Sequence, residues 1–162
     1  MTGEFFEGRC YKFYKERKSW EEAKRYCQSL SVMPSTLTPV RSKAHYQFLA
    51  KLAGKNSYWI GLNNKRNPRD WDYLSGGTSS APLLSYTNWG KNQPQTRGRR
   101  DRRNCVLVNK RRKWKNKSCT KNLKRFICEG VPGQKFSSLQ SSPSDQPNRN
   151  RGKRRRRYRW SS

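Results

Sequence analysis

"CYKFYKERKSWEEAKRYC", residues 10–27, opens and closes on cysteine and ends inside a helix. Ser19 with Glu22 three residues on is a capping box, in which serine oxygen and glutamate carboxylate each take an orphan N–H of the first turn. Trp20, Ala23, Tyr26 (with Cys27) and Leu30 then recur at three- and four-residue steps, which predicts one apolar helix face. "SKAHYQFLAKLAG" (42–54) repeats the logic: Ser42 caps, Phe48, Leu49 and Leu52 share a face, and Gly54 stops the helix. Beyond it the pattern shortens to the strand-like runs "SYWIGL" (57–62), "CVLVN" (105–109) and "KRFICE" (124–129). Between the first two of these runs, Asn63 to Asn104 is a Gly/Pro/Asn-rich stretch with Trp71, Tyr73 and Trp89 embedded. A loop that long is functional or misassigned; its interleaved aromatics point to a loop packed on its own small core. No internal repeat is visible.

The charge is extreme. Thirty-eight Lys and Arg stand against ten Asp and Glu, a net charge of +28 in 162 residues. Such a field says little about fold, but it draws in nucleic acid, sulfated glycans, anionic membranes or acidic mineral surfaces. Apolar residues are unevenly spread. From Phe5 to Gly130 the chain holds five Trp and seven Tyr, large side chains able to build a core. From Val131 onward only Val131, Phe136, Leu139, Tyr158 and Trp160 are sizeable and apolar. Two parts follow: a folded domain over 1–130 and a disordered basic tail over 131–162.

Five cysteines at irregular spacing, with no CxxC pair and a lone His45, argue against a zinc site and for an extracellular disulfide framework with one thiol over. No transmembrane stretch is present and no apolar segment follows Met1, so no export signal is visible. For a disulfide protein that conflict predicts a start inside a longer secreted precursor. Catalysis finds little support. His45 reads as a surface histidine of the second helix, no GxSxG or Cys–His pattern is present, and the carboxylates are scattered. The reading is a non-enzyme with no cofactor.

In this order the pieces resemble a C-type lectin-like domain. The resemblance runs from about Phe5 to Glu129 and is carried by "CYKFYKERKSWEEAKRYC", "YWIGL" (58–62), "YTNW" (86–89), "NQPQ" (92–95), "CVLV" (105–108), Trp114, Cys119 and "FICE" (126–129). It implies an α+β fold, disulfide-stabilised: two helices, small antiparallel sheets and a long loop region carrying the ligand site. It also implies that Cys27 pairs with Cys128 and Cys105 with Cys119. Loops of about 100 and about 15 residues closed this way are stabilised by roughly 4.7 and 3 kcal/mol in the chain-entropy model. Cys10 is left unpaired; its partner is expected upstream of Met1, as in the family's long form, the alternative being a free or intermolecular thiol.

Sugar-binding members of the resembled family hold calcium with oxygens from three places: a Glu-Pro-Asn or Gln-Pro-Asp tripeptide, a glutamate two residues before the "CV" cysteine, and a Trp-Asn-Asp. The matching positions here are Gln93-Pro94-Gln95, Arg103 and Trp114-Lys115-Asn116. Gln93, Gln95 and Asn116 still offer amide oxygens; Arg103 and Lys115 bring positive charge, which at about 4 Å repels a dication by several kcal/mol even at an effective dielectric of 20. The calcium site is read as lost and no metal is expected. In its place, Lys91 to Arg125 carries fifteen Lys and Arg and one acid, Asp101. Arg97, Arg99, Arg100, Arg102 and Arg103 form one cluster. Lys110, Arg111, Arg112, Lys113, Lys115 and Lys117, with Lys121, Lys124 and Arg125, form the other. Solubility alone needs far less charge, and guanidinium forks suit sulfate, phosphate or carboxylate. The tail repeats the theme with eight cations in "RNRGKRRRRYRW" (149–160).

The leading expectation is a secreted, calcium-independent lectin-like protein recognising polyanions: sulfated glycans first, then anionic lipid or microbial surfaces. The alternatives are a structural protein of an extracellular or mineralised matrix, and a metal-free lectin for neutral carbohydrate. Nucleic acid fits a disulfide domain poorly, and the partner loops of venom-type heteromers are not recognisable. "NKS" at Asn116 is a glycosylation sequon in an awkward place, between Trp114 and Cys119. Ligand identity and oligomeric state are not written in the sequence.

Overall fold

A two-residue turn at Glu7 and Gly8, both in left-handed backbone (φ 44° and 74°), joins β1 (Glu4–Phe6) to β2 (Arg9–Lys18). The chain then enters α1 (Trp20–Gln28), β3 (Ser35–Leu37), α2 (Lys43–Ala53), β4 (Tyr58–Asn63), β5 (Asp72–Tyr73), β6 (Cys105–Val108), β7 (Trp114–Lys117) and β8 (Lys124–Gly130). The structure, a computed structural model, describes residues 3–31, 33–66, 70–73, 85–95 and 102–132. The expectation of a disordered tail falls almost wholly outside those residues.

Both helices start where capping predicts. Ser19 N–H and Oγ–H donate to Glu22 Oε2 (2.8 and 2.7 Å) while Glu22 N–H donates to Ser19 Oγ (3.3 Å). In α2, His45 N–H donates to Ser42 Oγ at 3.0 Å, and Gly54 ends the helix at φ 60°. The strands join as one sheet in the order β1-β2-β8-β4-β6-β7, with β3 on β8 and β5 on β4. Every pair is antiparallel except β4–β8, the parallel seam that links the small antiparallel groups.

Two buried clusters hold the sheet to its helices. Trp20, Ala23 and Cys27 of α1 pack with Leu37, Trp59, Leu107 and Phe126, whereas Leu49, Ala50 and Ala53 of α2 pack with Ile60, Val106, Trp114 and Ile127. Aromatics replace the scarce aliphatics, and indole N–H groups find carbonyls: Trp20 Nε1 donates to Ile60 O (2.8 Å), Trp59 Nε1 to Lys18 O (2.9 Å). Disulfides close Cys27–Cys128 and Cys105–Cys119, and Cys10 is half-buried outside any disulfide.

Two expectations are corrected. His45 is not a surface residue: it is 0% exposed, its ring stacked on Phe6 and edge-on to Tyr11. Its spacing of four to Leu49 places it on the buried stripe of α2, which runs through His45, Tyr46, Leu49, Ala50 and Ala53 and leaves Phe48 and Leu52 at its margin. Nor do the described loop aromatics form a core of their own. Tyr73 is part of the α2-side cluster, and Trp71 and Trp89 pack against it.

Candidate functional site

The β6–β7 hairpin carries the candidate site. Its turn closes through Arg112 N–H to Asn109 O (2.8 Å) and Lys113 N–H to Asn109 Oδ1 (3.0 Å), with Arg112 in left-handed backbone at φ 58°. Lys110, Arg111, Arg112 and Lys113 stand exposed at this tip. The Arg112 carbonyl is held from below by Tyr46 Oη–H and Asn88 Nδ2–H. The segment 88–95 then runs along the outer edge of β7. Trp114 N–H donates to Asn88 O (2.9 Å), Gly90 N–H to Trp114 O (3.0 Å), and the Trp89 ring meets Trp114 edge-on at 5.7 Å.

Beside that edge, Gln93, Gln95, Arg103 and Asn116 tie into one knot. Asn116 is 3% exposed. Its N–H donates to Gln93 Oε1 (3.2 Å), its Oδ1 accepts from Gln95 N–H (2.9 Å), and its Nδ2 donates to Gln95 O (2.7 Å) and Arg103 O (2.9 Å). The Arg103 guanidinium donates to Gln95 Oε1. Calcium needs six to eight oxygens, several of them anionic. Here each of the three side-chain amide oxygens already accepts a protein hydrogen bond, one of them from a fixed positive charge. Among the described residues no group of three or more acidic, His or Cys side chains could hold a metal. These residues do not fit calcium. Asn116 Nδ2, the atom a glycan would modify, is likewise engaged twice.

The remaining cations divide by strand geometry. Side chains alternate across a strand, so Trp114 and Asn116 face the knot while Lys115 and Lys117 face the α1 side. There their cross-strand partners are Leu107 and Cys105. Lys115 therefore belongs on the face opposite Asn116, apart from the knot in which the motif grouped it. Burial first, then the charges of Lys115, Arg103 and Lys124, hold the Lys117 ammonium below the usual lysine pKa. Arg102 is exposed and Arg103 half-buried; Arg97, Arg99 and Arg100 lie outside the described residues. The sequence reading missed Tyr46 and Asn88 as supports of the hairpin, although "YTNW" already marked the second. A separate cleft of about 310 Å³, lined by Trp20, Lys24, Asn63 and Lys65 among others, has two of its three cations taken up in the Lys65–Glu21 and Arg66–Asp72 pairs.

Two capped helices, a linked sheet, two disulfides and the 88–95 segment laid along a hairpin make up a C-type lectin-like domain. The family described as Lectin C-type domain matches residues 16–130. The chain belongs to the C-type lectin domain family, a family of carbohydrate-binding domains. It is 37% identical over 125 residues to human C-type lectin domain family 17, member A, covering 76% of this chain and 30% of that protein. It is 32% identical over 128 residues to lithostathine of Rattus norvegicus, covering 74% of this chain and 71% of that one. Among solved structures, the mouse scavenger receptor C-type lectin carbohydrate-recognition domain superposes with a TM-score of 0.67 at 28% identity, covering 79% of this chain and 94% of the other.

Proposed function

We propose that this protein is a calcium-independent, non-catalytic lectin-like domain that acts outside the cell and binds polyanions, sulfated glycans first, through the basic surface around its long loop. One observation carries the reading. Where a sugar-binding relative would collect oxygens for a cation, this chain supplies its own cation, the Arg103 guanidinium on Gln95, and engages Gln93 Oε1 and Asn116 Oδ1 with the backbone N–H groups of Asn116 and Gln95. The loop is thus organised without metal and surrounded by donors for anions. Two disulfides suit an oxidising compartment, and among the described residues no helix is long and apolar enough to cross a membrane. A neutral-sugar reading is weaker because Gln93 and Gln95 have spent their acceptors inside the knot.

Retention on immobilised heparin and on neutral glycans, with and without chelator, tests the binding; thermal unfolding under calcium titration tests the metal. Heparin binding is expected to survive chelation and Tm to stay within a degree, since a specific ligand must stabilise by mass action. A rise of several degrees at about 1 mM calcium would overturn the metal-free reading. Binding to neutral glycans alone would overturn the anionic one.

A further inference from the structure

We propose that Lys115, Lys117 and Lys124 form a seat for a sulfate group of a glycan on the α1 side of β7, beside the Cys105–Cys119 disulfide and on the opposite face from the Asn116 knot. This deepens the polyanion reading and rests on it. The placement follows from register. Lys117 lies across from Cys105 and Lys115 across from Leu107, so both ammonium stems rise from the face that α1 shares. Lys124 opens β8 two residues before Phe126, which packs on the α1 side, so strand alternation sets it on that same face; its charge, after those of Lys115 and Arg103, acts on Lys117. Lys117 is half-buried rather than extended into water.

Like charges gathered this closely need a reason. Edge protection, the commonest use of strand lysines, is not it. The outer edge of β7 is already covered, since Trp114 N–H and C=O and Asn116 N–H are taken by the 88–95 segment. Internal pairing is not it either. The four ion pairs among the described residues are Arg9–Glu129, Arg41–Glu129, Lys65–Glu21 and Arg66–Asp72, none involving these lysines. Among the described residues, the acids that come near are spent. The first turn of α1 reaches Cys119 through Glu21 N–H, but the Glu21 carboxylate holds Lys65 and that of Glu22 caps the helix at Ser19. What remains is a concentration of lysine donors with no carboxylate partner among the described residues, two on β7 next to the Cys105–Cys119 disulfide and one at the start of β8. A tetrahedral oxyanion with several acceptor oxygens complements it. The hairpin tip, by contrast, offers its cations around a solvent-exposed turn.

The test uses the full chain and a fully sulfated heparin tetrasaccharide at fixed ionic strength. Two triple variants remove equal charge: Lys115→Gln with Lys117→Gln and Lys124→Gln, and Lys110→Gln with Arg111→Gln and Lys113→Gln. The first should lose tenfold or more in affinity and the second threefold or less. In the unaltered chain, saturating tetrasaccharide should protect Lys115, Lys117 and Lys124 from amine acetylation, read by mass spectrometry. That measurement stands even if a variant fails to fold. Equal losses from both triples, or protection confined to Lys110 and Lys113, would overturn the seat while leaving polyanion binding intact. Stronger protection by phosphatidylserine vesicles than by the saccharide would overturn its assignment to glycans. If the unaltered chain binds no sulfated saccharide, the reading beneath it fails instead.

Discussion

Glu129, 2% exposed, is the acid on which the α2 side of the molecule turns. Its carboxylate accepts from Arg9 at 3.0 Å and from Arg41 at 2.7 and 2.5 Å, tying β2 and the approach to α2 onto β8. His45 sits within this field, facing Tyr11, Phe6 and Phe48. Arg41 N–H donates to its Nδ1 at 3.3 Å, and among the described residues no partner reaches Nε2. Burial, opposed by Glu129 and reinforced by Arg41 and Arg9, lowers its pKa to about 4. The unfolded chain protonates His45 near pH 6.5 and the folded chain only near 4, so this stabilisation is complete above pH 6.5 and lost as pH falls towards 4. By pH 5 the loss should reach about 2 kcal/mol. Urea unfolding at pH 7.5 and pH 5 measures it. His45→Phe, which keeps the aromatic stack, should remove most of the difference, and an unchanged slope in that variant would refute the assignment.

At the scale of elements, Gly61 shows how a motif hides its reason. "YWIGL" is legible as a strand, but nothing in the sequence says why its fourth residue lacks a side chain. Gly61 N–H donates to Thr38 O at 2.8 Å, and a Cβ at this position would lie 2.6 Å from Leu37 O. The 37–38 backbone crosses β4 where only hydrogen fits. Gly61→Ala should therefore cost about 2–3 kcal/mol, seen as a lower denaturation midpoint with an unchanged slope. Much else at this scale was readable. Both helix starts followed from local capping, and three strands from runs of apolar residues. β2 and β7 escaped because "RCYKFYKERK" and "WKNK" are dominated by charge, and the partners that make them strands are remote in sequence. In the site, the positions of Gln93, Gln95, Arg103 and Asn116 were legible from motifs. That they bond to one another, and that Lys115 faces away from them, depends on register and strand alternation, which the motifs do not encode.

For the molecule as a whole, net +28 is a standing repulsion that folding must overcome, and that the proposed polyanion binding would relieve. Salt therefore acts in opposite directions on stability and on binding. Raising ionic strength screens exposed charges within a Debye length of about 10 Å at 0.1 M and should raise Tm. The same change should weaken heparin binding along a straight line in log affinity against log salt, because each neutralised charge releases counterions. Two regions should share that line. The eight cations of 149–160 belong to a segment that the sequence does not equip with a core, so they should contribute charge and effective concentration without geometry. Ending the chain at residue 132 should then leave Tm within a few degrees while flattening the salt slope. Replacing the 149–159 arginines by lysine should change little. Arg102→Lys with Arg103→Lys should cost more, since Arg103 also holds Gln95 and a lysine cannot reproduce its planar fork. Surface plasmon resonance on heparin at four salt concentrations separates these cases. Equal losses from the two sets of lysine replacements would reduce the folded surface to charge density alone. Full binding by a 149–162 peptide, with none by the chain ended at 132, would make the lectin domain a carrier for its own tail.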